Sequence, residues 1–142
     1  MNDTKKHNPY ESPKSILVDE IEDKLSKKEY EIFLSITQLK PLSDIMQNIQ
    51  NSYKELLRIG ETVYICIDAT IPDINVPKKH VEDGTIVLDI SPKAISNFNW
   101  SECAIEFIAK FKSKNQIVKA PFDSLLWIYS GETKTGYELN KV

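Results

Sequence analysis

Three side chains of this sequence have types that could form a nucleophilic site, but their setting does not favour one. Cys66 and Cys103 lie in apolar, strand-like runs, and His80 stands in a polar segment between them in the chain. Nucleophilic catalysis needs a base beside the thiol and a third group that orients the base, and no such third group is evident. The sequence therefore does not predict a cysteine-based enzyme.

Four aspartates raise the alternative of general acid–base catalysis by a pair of carboxylates. Each lies near a turn signal or at the end of a strand-like run, where Asp commonly bonds to the local backbone. These residues are Asp68, Asp73, Asp83 and Asp89. We expect them to shape turns, so the sequence predicts a protein that is not an enzyme.

The cysteine spacing also bears on metal binding and on redox state. The sequence has no CxxC motif and no Cys/His pattern of a zinc site, so it predicts no metal and no other cofactor. Two buried, reduced thiols are favoured over a disulfide between Cys66 and Cys103.

The charge balance argues against a general nucleic-acid binder, which usually presents a strongly basic face. The formal net charge is -3, although lysines cluster locally at Lys78 and Lys79 and at Lys110, Lys112 and Lys114. Such lysines favour a solvated strand edge that resists pairing with other chains over a recognition patch.

The length and composition suit one globular domain with a single core, since 41% of the 142 residues are hydrophobic and 27% are charged. The first residues lack the apolar run of a secretory signal, and no apolar run approaches the ~20 residues that span a bilayer. We expect a cytoplasmic protein without a membrane partner.

Two helices are predicted in the first 40 residues. Ser12 followed by Pro13 predicts the start of a helix over 13–25. Ser26 and Glu29 form an S-x-x-E capping box for a second helix over 26–39, which Pro41 ends. This pair is predicted either to bind a partner or to pack on the core.

A third helix is predicted from Ser43 to Gly60, which stands where a left-handed residue commonly follows a helix. Its apolar stripe has spacings of four, three, four and three, which is typical of a packed helix. The stripe contains Ile45, Ile49, Ser52, Leu56 and Ile59.

After Gly60 the apolar period changes from 3.6 to 2, which predicts strands over 63–69, 85–90, 104–111 and 116–120. Asp83 and Gly84 mark a tight turn, and the prolines at 72 and 77 predict an edge or a loop. Residues 91–95 are predicted to form a turn or a single helical turn. Residues 121–129 fit a short helix or a strand, and a weak last strand lies between 131 and 136.

Several short motifs in this second part resemble the stringent starvation protein B family in their order and spacing. They are IP…VP over 71–77, EDGTIVLDISPKAI over 82–95, IEFIAKF over 105–111, Pro121 and LLWIY over 125–129. The resemblance covers residues 55 to about 139. It implies a mainly β (α+β) fold of two small sheets, a sandwich or open barrel behind N-terminal helices. We expect a helical extension over 1–42 and this domain over 43–142.

The family supplies adaptors that hand tagged proteins to the ClpXP protease. The resemblance therefore implies a surface groove that holds an extended degradation tag, chiefly the ssrA tag that the ribosome-rescue RNA adds to stalled chains. Its implied partners are tagged polypeptides, the ClpX unfoldase and a second copy of the chain. By matching motifs, the groove residues are Val81, Ile86, Leu88, Phe107, Ala109, Lys110 and Phe111.

Physical reasons accompany these residues, and so do plainer alternatives. Ala109 is a small residue between two large ones and would let a ligand backbone approach, and Lys110 could meet an acidic tag residue. Equally, Phe107 and Phe111 could fill the core. The resemblance also implies a dimer through the third helix, at Ile45, Ile49, Tyr53 and Leu56, although its stripe could pack on this chain's own sheet instead.

Two departures from the family leave its delivery role open. This chain has about 40 residues before the dimer helix, and it does not show the long acidic tail with which family adaptors dock on the unfoldase. The extension could dock instead, or the protein could bind tags and shield them. An RNA-binding β-barrel is a further alternative, with Phe98 and Trp100 near Lys93 as its stacking candidates.

Overall fold

The computed structural model describes residues 21–111 and 114–140, so most of the helix predicted over 13–25, and Lys112, lie outside the described residues. Residues 21–24 are helical. Helix α1 is Lys27–Thr37, and its capping box is confirmed: the Glu29 amide donates to Ser26 Oγ at 3.2 Å, and the Ser26 amide donates to Glu29 Oε1 at 3.0 Å. The helix ends at Thr37, two residues before the predicted end.

Helix α2 is Asp44–Arg58, with Ser43 as its N-cap, as the sequence predicts. Its C-terminus forms a Schellman motif, in which the Gly60 amide donates to the Leu57 carbonyl at 3.0 Å and the Glu61 amide to the Leu56 carbonyl at 3.1 Å. Gly60 has φ 82°, the left-handed conformation predicted for it. Ile59 departs from the predicted stripe, because it is the C-cap and 47% exposed.

Seven strands form two antiparallel sheets in the described residues. Their bounds are β1 Val63–Asp68, β2 Thr85–Asp89, β3 Ile95–Trp100, β4 Ala104–Phe111, β5 Lys114–Pro121, β6 Leu125–Ser130 and β7 Gly136–Glu138. The four-stranded sheet has the order β2-β1-β6-β7, and the three-stranded sheet has the order β3-β4-β5. This confirms the mainly β, two-sheet fold, and the sheets do not close into a barrel.

The chain between β1 and β2 returns through a turn that the sequence identifies. Asp83 and Gly84 have φ values of 52° and 79°, so both central residues are left-handed, which is the geometry of a type I′ hairpin turn. Glu82 and Thr85 exchange backbone hydrogen bonds of 2.8 and 3.0 Å around it.

The sequence did not predict strand β3, and it left residues 121–129 as a helix or a strand. Strand β3 has two asparagines, and Asn97, at φ 54°, lies where the register with β4 shifts. This bulge hides the alternating pattern. Residues 122–124 form one 3₁₀ turn before β6, so both predicted alternatives hold in part.

The core lies between the helices and the two sheets. Helix α2 packs on β1 and β6, and α1 packs on α2 and β3. The Tyr53 hydroxyl donates to the Ile90 carbonyl at 2.8 Å and ties α2 to the end of β2. The Trp100 indole donates to the Ser35 carbonyl at 3.1 Å and ties α1 to β3. Helix α2 thus covers one face of the four-stranded sheet, and no helix of the described residues packs on its other face.

Candidate functional site

An open groove of about 540 Å³ lies where the exposed face of the four-stranded sheet meets the end of β4. On the sheet, Asp89, Tyr64 and Tyr129 are cross-strand neighbours on β2, β1 and β6 and form one row. The full lining is Tyr64, Val87, Leu88, Asp89, Ala94, Ala109, Lys110, Phe111, Tyr129 and Lys134. We call this opening the groove.

The groove borders an unpaired strand edge. Strand β2 is at the end of its sheet and pairs with β1 alone among the strands of residues 21–111 and 114–140. The Ile90 amide donates to the Val63 carbonyl at 2.8 Å, and the Ala69 amide donates to the Gly84 carbonyl at 2.7 Å. The backbone groups of the even-numbered residues of β2 therefore point towards β1. By strand alternation, the backbone groups of Val87 and Asp89 point outwards. Within the part of the chain that the structure describes, they bond to no other strand and can pair with an added one.

The wall opposite this edge is built by the last residues of β4. Ala109 is 4% exposed and pairs with Ile95 of β3, and the Lys110 amide donates to the Ala94 carbonyl at 3.2 Å. The Phe111 ring stacks on His80, with the ring centroids 5.0 Å apart and the planes 6° from parallel. This stack fixes the aromatic wall to the 3₁₀ turn Lys78–His80.

The predicted groove residues divide into three groups. Leu88, Ala109, Lys110 and Phe111 line the groove together. Val81 lines a neighbouring opening of about 510 Å³ with Ile71, Ile74 and Val76 among others. Ile86 and Phe107 are 2% and 1% exposed and belong to the core. Phe107 stacks on Phe98 with centroids 6.0 Å apart, two residues before Ala109 on the same face of β4.

Sequence reasoning missed six of the ten lining residues, namely Tyr64, Val87, Asp89, Ala94, Tyr129 and Lys134. For Tyr64 and Tyr129 the sequence did contain a signal. They alternate with buried residues on β1 and β6, so strand periodicity places them on the outward face. Lys134 lies in a loop, has φ 63° and gives no such signal.

The charges at the groove are two lysines and one aspartate. Lys110 is exposed, and the Asp89 carboxylate accepts a hydrogen bond from the Ser91 amide at 2.8 Å. The Tyr64 and Tyr129 rings meet edge to face, with centroids 5.9 Å apart. Burial raises the pKa of Tyr129, and the nearby Cys66 and Tyr64 raise it further by charge repulsion. The Tyr129 hydroxyl therefore stays protonated at neutral pH and can donate a hydrogen bond.

The residues named for a dimer interface are instead used inside this chain. Ile49, Tyr53 and Leu56 are 1%, 0% and 4% exposed, and Ile45 is partly buried. Tyr53 stacks on Phe33 of α1 with centroids 6.4 Å apart, and burial raises its pKa well above the ordinary value. The apolar stripe therefore packs within this chain, on α1 and on the sheet, which agrees with the alternative that it packs on the chain's own sheet. These three side chains are already buried within one chain, and a homodimer and its interface stay predictions.

The residues considered for other chemistries have local roles. The amide and hydroxyl of Thr70 both donate to Asp68, at 2.9 and 2.6 Å, and these bonds lower the pKa of that carboxyl. Cys66 and Cys103 are free thiols, but Cys103 is exposed and Cys66 half-buried, so the prediction of two buried thiols is wrong. Cys103 follows the end of β3, in the bend that leads to β4. Among residues 21–111 and 114–140, no three His, Cys, Asp or Glu side chains cluster as metal ligands.

The stacking pair of the RNA-binding alternative is not an exposed platform. Phe98 is 6% exposed and packs on Phe107. Trp100 is partly buried, and its indole nitrogen is engaged by α1. Base stacking needs an open ring face, which Phe98 does not offer.

The fold and the groove together define a class, the small α+β proteins in which two antiparallel sheets flank an open groove beside a free strand edge. Residues 42–142 match the family described as stringent starvation protein B, and the chain belongs to that family. A stringent starvation protein B homolog from Haemophilus influenzae is 37% identical over 84 residues, which are 59% of this chain and 56% of that protein. The match thus spans little more than half the length of this relative.

No helix within the described residues is both long enough and apolar enough to cross a membrane.

Proposed function

We propose that this protein is a non-enzymatic adaptor that binds the ssrA degradation tag in extended form and delivers tagged proteins to the ClpXP protease. Family membership supports a role like that of stringent starvation protein B. The observation that carries the peptide-binding part is the free edge of β2 beside the groove, because an extended chain can add to such an edge as a further strand.

The affinity comes from two sources. The outward backbone groups of Val87 and Asp89 offer main-chain hydrogen bonds, each worth about 1 kcal/mol net. The wall at Ala109 and Phe111 and the floor at Tyr64 and Tyr129 offer contacts to alternate side chains. Together these support micromolar binding, about -8 kcal/mol, since the groove is already open in the free protein.

The charges favour an acidic ligand segment. Lys110 and Lys134 both line the groove and outnumber Asp89 there. An exposed pair between one of these lysines and a tag carboxylate contributes about 0.5–1 kcal/mol and weakens with salt. Salt should therefore weaken tag binding only moderately, whereas a nucleic acid would be released steeply.

The first test is fluorescence anisotropy with a labelled ssrA peptide and the Ala109→Gln variant. A glutamine side chain at this wall would occupy the path of the peptide, so we expect at least a tenfold loss of affinity, about 1.4 kcal/mol. Ile117→Gln is the matched control, because Ile117 is 58% exposed and pairs with Ile108, which faces away from Ala109.

Ala109 is nearly buried, so a thermal melt must show that its variant still folds. Lys110→Glu is the second variant, since Lys110 is exposed and its reversal should weaken tag binding without unfolding. Full tag affinity in both variants would show that the peptide does not lie in this groove.

Delivery is tested separately from binding. Added to purified ClpXP and an ssrA-tagged substrate, the wild-type protein should accelerate degradation at low substrate concentration, because tethering raises the local substrate concentration. Slower degradation by a protein that binds the tag would show shielding and would overturn delivery while leaving tag binding intact.

A further inference from the structure

The exposed face of the four-stranded sheet carries a second row of side chains beside the row in the groove. Val87, Cys66 and Trp127 are cross-strand neighbours on β2, β1 and β6, and Glu138 of β7 follows Trp127. Val87 is 47% and Trp127 40% exposed. We call Tyr64, Cys66, Val87, Trp127 and Tyr129 the aromatic shelf.

The shelf does not serve the core of the described chain. The residues that alternate with it, among them Ile65, Ile67 and Ile128, are fully buried beneath α2. In the described residues no helix packs on the opposite face, where a tryptophan, two tyrosines, a valine and a cysteine lie together. A contiguous apolar patch on a sheet face marks an interaction surface more often than a scattered apolar residue does.

The shelf is continuous with the groove. Tyr64, Val87 and Tyr129 belong to both, and the Trp127 row is two residues further along each strand, about 7 Å away. A side chain of a peptide that lies in the groove spans such a distance. The two surfaces can therefore hold neighbouring residues of one extended ligand.

The groove and the shelf differ in chemistry. The groove has Lys110 and Lys134, whereas the shelf is bordered by Asp68 on β1 and Glu138 on β7. A side chain over the shelf thus meets an apolar surface with a negative rim. Tryptophan offers a large, rigid contact area at little cost in conformational entropy.

We propose that the aromatic shelf is a second subsite, which takes a bulky apolar side chain of the polypeptide segment adjoining the tag and excludes acidic ones. The proposal rests on the proposed function, since it places the tag in the groove. It makes recognition bipartite: the groove takes the tag, and Trp127 selects among tagged chains by the residues next to it.

The test compares labelled ssrA peptides that are lengthened by four residues at either end. One series carries a single phenylalanine at each added position in turn, and parallel series carry serine or glutamate there. At one position, phenylalanine should bind wild-type protein about threefold to tenfold more tightly than serine, and glutamate should bind more weakly than serine. At the same position, Trp127→Thr should bind all three nearly equally, with serine-peptide affinity unchanged.

Two controls separate the shelf from the groove and from folding. Ile117→Thr replaces an apolar strand residue on the other sheet that is also exposed, at 58% against 40% for Trp127, and should retain the phenylalanine gain. Ala109→Gln should lose both the gain and the tag affinity. The emission of Trp127, taken as wild type minus Trp127→Thr, should shift when the phenylalanine peptide binds.

Each of the other outcomes would overturn either the shelf or the proposed function. Tag binding without any phenylalanine gain, or a gain that Trp127→Thr retains, overturns the shelf and leaves the groove in place. A Trp127→Thr variant that turns a wild-type dimer into a monomer in sedimentation, with no effect on peptides, assigns the shelf to a second copy and also overturns the proposal. Failure of wild-type protein to bind any tag peptide overturns the proposed function itself.

Discussion

Single residues in α2 show that neighbours on one helix can have opposite effects on stability. Tyr53 is fully buried and its hydroxyl is satisfied by the Ile90 carbonyl. Ser52 is also fully buried, but its hydroxyl has no hydrogen-bond partner in the described part of the chain. A buried polar group stabilises a fold when it is paired and destabilises it when it is not.

Tyr53→Phe and Ser52→Ala should therefore change the free energy of unfolding in opposite directions. Tyr53→Phe leaves a buried carbonyl without its donor and should cost about 1–2 kcal/mol. Ser52→Ala removes an unpaired hydroxyl and should be neutral or stabilise by up to about 1 kcal/mol. Urea denaturation measures both, and equal losses in the two variants would contradict the assignment.

At the scale of elements, the end of α2 and the loop after β6 fix the position of the start of β1. The Schellman motif at Gly60 turns the chain from α2 into β1, and the loop after β6 is tied to the start of β1. In that tie the amide and hydroxyl of Thr62 donate to Glu132, at 2.8 and 2.7 Å. The loop also carries Lys134, so these bonds hold one side of the groove.

Gly60→Ala should measure how much the left-handed backbone conformation in the Schellman motif costs in free energy of unfolding, without any steric clash. At φ 82° a Cβ atom would meet no heavy atom within 4 Å, so the cost is that of the left-handed conformation, about 1 kcal/mol. Gly60→Asn should cost less, because asparagine tolerates this region. Gly136→Ala should cost more, since its Cβ would collide with the Ile128 carbonyl and with Tyr129. Thermal melts rank the three, and a different order would contradict this account.

The Glu132 tie predicts a pH dependence. Hydrogen bonds from Thr62, the hydroxyl foremost, lower the pKa of Glu132 below its ordinary value of 4.5. A lowered folded pKa means that the stabilisation is complete above about pH 4.5 and is lost as the pH falls through the folded value. From about pH 6 to about pH 3, the melting temperature of Glu132→Gln should fall less than that of wild type. Parallel curves would show that the bonds contribute nothing to stability.

At the scale of the whole molecule, the N-terminal helical region is part of the core. Ile21, Phe33 and Ile36 are 2%, 0% and 0% exposed, and they join the same hydrophobic cluster as α2 and the sheets. The family match, by contrast, begins at residue 42. Residues 21–41, which precede the match, thus shield the helix that carries the predicted dimer stripe.

A chain that starts at Leu42 should consequently be much less stable than the full chain. Loss of three buried apolar side chains at roughly 1.5–3 kcal/mol each gives a cost on the order of 5 kcal/mol. The exposed side of α2 around Tyr53 should also promote self-association, which sedimentation would detect. An unchanged free energy of unfolding would show that α1 is a separable extension.

The amino-acid sequence by itself determined those features that depend on local chemistry. These include the capping box at Ser26, the left-handed Gly60, the Asp83–Gly84 turn and most strands, because caps, turns and alternation are set by residues close together in the chain. The motifs around Ala109 and Leu88 also identified the family and four of the groove residues.

Only the tertiary structure decided which faces are used and which stay open. The stripe of α2 has the same spacing whether it meets a second copy or its own sheet, and only the tertiary structure shows it buried against α1, β1 and β6 of one chain. Likewise, an outward-facing tyrosine on β1 is only one exposed ring until β6 brings Tyr129 and Trp127 beside it. Burial and site geometry depend on contacts between residues far apart in sequence, and periodicity along one strand or helix does not encode its neighbours.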